Sequence, residues 1–142
     1  VTRGQPVYII DGKGRVITID ATTKGIWVTQ TATKPRTPAY DYIEDSGAGT
    51  TKTLITPSSG KTIYVASIVI STTAAGIVEI KFGDTTKMHL EFNDRKSVPI
   101  VIPFEVEVGK DLPLKGYFKS DAGTHRAYFT VFYDERDPYT PP

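Results

Sequence analysis

The sequence predicts an all-β protein: an antiparallel β-sandwich or barrel of jelly-roll or β-tulip type, with an N-terminal β-hairpin arm. Three observations predict it. From Thr50 to Arg136 about eight short runs alternate apolar and polar residues, at the roughly 8–12-residue spacing typical of sandwiches. Glycine, proline, asparagine and aspartate separate the runs, and no stretch has the 3.6-residue period of a long helix. The chain also carries 20 threonines and eight tyrosines alongside many valines and isoleucines, types that suit a pleated, half-buried surface.

The elements follow in order. In the N-terminal arm, residues 1–49, Val7-Tyr8-Ile9-Ile10 and Arg15-Val16-Ile17-Thr18-Ile19 are strand candidates joined by Asp11-Gly12-Lys13-Gly14. Asp-Gly between two such runs signals a hairpin, because glycine reaches the positive φ of a tight turn. A third candidate, Ile26-Trp27-Val28-Thr29, follows Lys24-Gly25. The stretch from Thr31 to Thr50 holds two prolines and an acidic segment, and reads as an extended linker with little apolar surface to offset its ordering entropy.

The module, residues 50–136, opens with Thr53–Thr56. Thr62–Ser71 is apolar on both faces and reads as a central strand. Ile77–Phe82 and Met88–Phe92 alternate in the manner of half-buried strands. Pro99 and Pro103 place the next runs, Val98–Ile102 and Phe104–Val108, at an edge or a bend. Leu112–Lys119 and His125–Tyr133 complete the set, the last again apolar on both faces. Residues 137–142 read as a surface tail.

Bulk properties exclude several functions. A chain of 142 residues buries roughly 70% of its unfolded surface without a metal or disulfide. The absence of cysteine rules out thiolate catalysis and cysteine-based zinc sites, while leaving the redox compartment open. Seventeen basic residues nearly cancel sixteen acidic ones without blocks of like charge, so neither nucleic acid nor an anionic membrane is an expected partner. No apolar run approaches the roughly 18 residues of a membrane span, and Val1-Thr2-Arg3-Gly4 does not begin a signal-peptide core.

Candidate chemistry is sparse. His89 and Glu91 share one strand face with Asp94 beyond them, but a metal would need a further ligand. His125 opens a strand after Asp121, and Ser58, Ser59 and Ser71 sit in or beside turns without a nucleophile-elbow pattern. Glu79, Glu91, Glu105 and Glu107 alternate with apolar residues, as the outer face of a sheet does. Asp11-Gly12-Lys13-Gly14 lacks a phosphate-loop spacing, and Asp41, Glu44 and Asp45 lack that of an EF-hand. Trp27 and the tyrosines serve either a sugar platform or core and subunit contacts. No catalytic group, cofactor or metal is expected.

In size, lack of cysteine and plan, the chain resembles the decoration (cement) proteins of thermophilic tailed bacteriophages. The resemblance rests on an arm, Val7 to Thr29, and a module containing Thr62-Ile63-Tyr64-Val65-Ala66-Ser67-Ile68-Val69-Ile70 and Arg126-Ala127-Tyr128-Phe129-Thr130-Val131-Phe132-Tyr133. It implies a non-enzymatic homotrimer on the outer capsid surface of the virion, bound to the major capsid protein and bridging neighbouring subunits. Ten prolines, a single methionine and no cysteine suit a heat-exposed protein. Tyr8, Ile9, Ile26, Trp27 and Val28 are the expected protein-binding residues. Residues 1–30 either add a strand to a neighbour or fold back on their own module. The alternative function is a carbohydrate- or receptor-binding β-sandwich of a viral fibre or cell-surface assembly.

Overall fold

The computed structural model describes residues 8–10, 16–19, 26–29 and 36–142. The chain forms two compact units, Val1–Pro35 and Arg36–Pro142. In the first, β1 (Tyr8–Ile10), β2 (Val16–Ile19) and β3 (Ile26–Thr29) form an antiparallel sheet in that order. Ile9 stands opposite Ile17, and Thr18 opposite Trp27. The turn expected at Asp11–Gly14, Lys24-Gly25 and the segment Thr31–Pro35 lie outside the described residues.

The second unit is a β-sandwich of eight strands. These are β4 (Thr37–Asp45), β5 (Thr50–Ile55), β6 (Thr62–Thr72), β7 (Gly76–Phe82), β8 (Thr85–Phe92), β9 (Lys96–Glu107), β10 (Leu114–Ser120) and β11 (His125–Arg136). One sheet has the order β4-β11-β6-β9 and the other β5-β10-β7-β8. The pairing is nested: β4 with β11, β5 with β10, β6 with β9 and β7 with β8, all antiparallel. The eight strands are one long hairpin wound into two layers.

Between the layers lie Ile43, Ile63, Val65, Ile68, Ile70, Val78, Ile80, Leu114, Phe118, Phe129 and Val131, each at most 2% exposed. Burying a side chain of this kind stabilises by about 1.5–3 kcal/mol. Gly116 sets the spacing locally: a Cβ there would stand 3.2 Å from both Ile43 Cδ1 and Phe129 Cζ.

Three elements differ from the sequence reading. The linker expected up to Thr50 is, from Thr37, strand β4, paired with β11 along its whole length. Its inward positions are Ala39, Asp41, Ile43 and Asp45, so the carboxylates hide the alternation. Asp45 is tolerated, though only 4% exposed, because it accepts hydrogen bonds from Gly47 N, Gly49 N, Ser120 N and Thr50 Oγ1, all at 2.8–2.9 Å. The module therefore begins ahead of Thr50, with its first strand inside the segment assigned to the arm.

In β6 the register shifts at Ala66, between Ser67 opposite Phe132 and Val65 opposite Tyr133. This bulge changes the phase of the strand, so Ile63, Val65, Ile68 and Ile70 all face the core. The strand is central, as expected, but its second apolar face is the same face counted across the bulge. Finally, the two runs either side of Pro103 are one edge strand, β9. Residues 102–105 stand opposite Ala66 alone, between the pairs Ser67–Val101 and Val65–Val106. The expected total of eight thus arose from one strand omitted and one divided.

Candidate functional site: the outer face of one sheet

The outward positions of β4-β11-β6-β9 follow from the register. Reading across the sheet, they form the rows Pro38–Phe132–Ser67–Val101, Tyr40–Thr130–Val69–Pro99 and Tyr42–Tyr128–Ser71–Ser97. None of the twelve residues is charged and none is buried. Strand spacing and rise make this grid about 14 Å by 14 Å between its outermost Cα atoms. Tyr40 is 64% and Val101 76% exposed. Eight of the twelve are apolar or aromatic, and the other four, Ser67, Ser71, Ser97 and Thr130, carry hydroxyls.

One corner is aromatic. The Tyr40 and Tyr128 rings are stacked at 6.3 Å and 11°, and Tyr42 is tilted against Tyr128 at 6.1 Å. Two cations steady it from the sides: Arg126 Cζ lies 4.6 Å and Lys52 Nζ 5.2 Å from the Tyr42 ring centre. Both are neutralised locally, Arg126 Nε donating to Glu44 at 3.0 Å and Lys52 Nζ to Asp41 at 2.7 Å. Burial pushes the Asp41 carboxyl up, but the Lys52 ammonium and the Tyr42 N–H outweigh it and hold the group below its ordinary value. At the opposite end of the sheet Glu105 pairs with Arg36 and Arg136, and Arg136 Cζ sits 3.9 Å from the Tyr64 ring. Charge frames the face without entering it.

The sequence candidates fall elsewhere. His89 lies on the outer face of the other sheet, its Nδ1 3.0 Å from Glu79 Oε2 and its Nε2 3.2 Å from Glu91 Oε1. The two carboxylates sit at opposite ring nitrogens and so do not converge on one ligand point. They favour the imidazolium, which alone donates from both nitrogens, and they raise the His89 pKa, Glu79 more than Glu91. Asp41, Glu44 and Asp45 serve three separate purposes: a lysine pair, an arginine pair and a buried turn. Among the described residues no serine hydroxyl is hydrogen-bonded to a histidine, and no group of three acidic or histidine side chains is arranged to hold a metal. Ser71 Oγ instead accepts from Ser97 Oγ at 3.3 Å on the uncharged face. Tyr8 and Ile9 fall in β1, and Ile26, Trp27 and Val28 in β3, the two edge strands of the small sheet.

Sequence reasoning missed the aromatic corner. The signal was present as Tyr40 and Tyr42 two residues apart, but it lay in the segment taken for a linker. No protein-family model matches the chain, and comparison with curated protein sequences gives no significant match.

Proposed function

We propose that the chain is a non-enzymatic structural protein that binds the outer surface of a viral capsid and stabilises it by bridging neighbouring subunits. The observation that carries this reading is the uncharged face of β4-β11-β6-β9, which suits a broad, desolvated contact. Tyr40, Tyr42 and Tyr128 are its anchors, since rigid aromatics supply most of the energy in such contacts. The edge strands β1 and β3 supply a second attachment, with Tyr8, Ile9, Ile26, Trp27 and Val28 as the grip and strand addition as the means. Assembly into a homotrimer on the major capsid protein multiplies these modest contacts into firm retention. The test is co-sedimentation with purified shells: a Tyr40→Glu/Tyr128→Glu double variant and a variant lacking residues 1–30 should each lose retention while the sandwich stays folded. Unchanged retention in both sinks the reading.

A second reading has its own observation. Parallel tyrosine rings beside the hydroxyls of Ser71, Ser97 and Thr130 offer the stacking and hydrogen bonds that a neutral polysaccharide requires. A glycan array, probed with and without a chelator, separates it from the first. Glycan binding lost in the double variant supports the second reading, and an unresponsive array removes it.

A further inference from the structure

Two sheets with regular strands pack without voids, yet this sandwich holds an apolar cavity of about 150 Å3 on its β8/β9 side. Val65 and Ile68 line it from β6, Ile80 and Phe82 from β7, and Met88 and Val106 from the two edge strands. Three register irregularities converge on it. Val65 and Ile68 flank the bulge at Ala66. Ile102, the first residue of the four-residue excursion of β9, and Val106, which ends it, are also in the wall. Lys87 is the extra residue of β8, between Met88 opposite Ile80 and Thr86 opposite Lys81. Bulges re-aim side chains, and here all three act on the same space.

The mouth carries a cation. Lys87 and Val106 are the exposed members of the lining. Lys87 Nζ lies 6.0 Å from the Phe82 ring centre and makes no ion pair among the described residues. We propose that this cavity is a binding site for a small apolar carboxylate of about the size of benzoate, its hydrocarbon part among Ile80, Met88 and Val106 and its carboxylate on the Lys87 ammonium. The volume agrees: an apolar cavity of about 150 Å3 admits a ligand the size of benzene. Charge complementarity supplies the head group, because a charge-assisted hydrogen bond to an otherwise unpaired ammonium orients the ligand. An inserted strand from another chain fits less well. The β8 edge is interrupted by its bulge and lysine, and the β9 edge by Pro99 and its excursion, features that discourage strand addition.

The full chain contains one methionine, so ε-methyl labelling gives a single reporter, Met88, in the cavity wall. Titration with benzoate should move that resonance saturably. Lys87→Met should weaken benzoate by ~10-fold and leave toluene unaffected, since only the head group loses its partner. Val106→Phe should abolish both. Where that variant does not fold, xenon titration of the unaltered chain measures the same space. A Met88 resonance that benzoate leaves unmoved, equal benzoate affinity in Lys87→Met, or uptake of toluene and xenon without benzoate overturns the proposal.

Discussion

The two outer faces of the sandwich are built on the same cross-strand geometry and carry opposite chemistry. On β5-β10-β7-β8 the register brings Lys119, Ile77 and Glu91 into one row, Thr51, Tyr117, Glu79 and His89 into the next, and Thr53, Lys115, Lys81 and Thr86 into the third. Charges of both signs stand on it, Lys81 lies 5.3 Å from the Tyr117 ring, and Lys115 bonds Asp84 at 2.9 Å. On β4-β11-β6-β9 the equivalent grid has no charge at all. A net charge of +1 conceals this division, because it sums over both faces. Covering the charged face would mean desolvating its ions, a cost that the uncharged grid does not carry.

The sharpest way to break that contrast is to exchange the chemistry. Tyr40→Glu/Tyr128→Glu should reduce shell retention by at least about 30-fold, the loss of a hot spot of about 2 kcal/mol or more. Lys81→Glu/Lys119→Glu on the opposite face should change it by less than about twofold. Equal losses from the two pairs would erase the functional difference between the faces.

Beneath the two faces, Asp45→Asn turns an amide N–H toward donors that now meet a carboxylate. A loss of about 3 kcal/mol is expected in urea denaturation, with shell retention intact wherever the protein is folded. Burial raises the Asp45 pKa, but the donors from Ser120, Gly47, Thr50 and Gly49 outweigh it and leave it lowered. Its stabilisation is therefore complete above the unfolded aspartate value of about 3.9 and disappears as pH falls through the folded value. The variant should lose that part of the acid sensitivity. Gly116→Ala tests the spacing between the faces and should cost about 1–2 kcal/mol by overpacking against Ile43 and Phe129.

The smallest effect belongs to His89. Its pKa is raised, so its contribution is full below the unfolded value of about 6.5 and fades as pH rises through the folded one. An NMR titration should place His89 above an exposed histidine, and Glu79→Gln should lower it part of the way, Glu91 remaining. A titration unmoved by Glu79→Gln would remove that carboxylate as the cause.

What was legible in the chain follows the same physics. Strands such as Gly76–Phe82 were plain, because Val78 and Ile80 face inward while Glu79 and Lys81 face water. β4 was hidden because Asp41 and Asp45 occupy its inward positions, and their partners, Lys52 and the turn after Asp45, are contacts made only on folding. The bulge at Ala66 left no local mark, since two apolar faces and one phase-shifted face read alike in sequence. The uncharged face was illegible for a different reason. Its rows join residues up to about ninety positions apart, and only strand order brings Tyr40 to Thr130 and Val69 to Pro99.

The nested winding also fixes when the sandwich can exist. β4 pairs only with β11, His125 against Asp45 and Tyr133 against Thr37, across separations of 80 and 96 positions. β10 and β11, the last of the eight to leave the ribosome, are inner strands of their sheets, β10 between β5 and β7 and β11 between β4 and β6. A growing chain therefore has no half-sandwich in which to rest, and its early strands keep open edges until the end arrives. Such non-local closure is slow, on the order of milliseconds to seconds. Stopping synthesis ahead of Leu114 should yield no stable part of the sandwich, only a chain with two sheets each missing an inner strand.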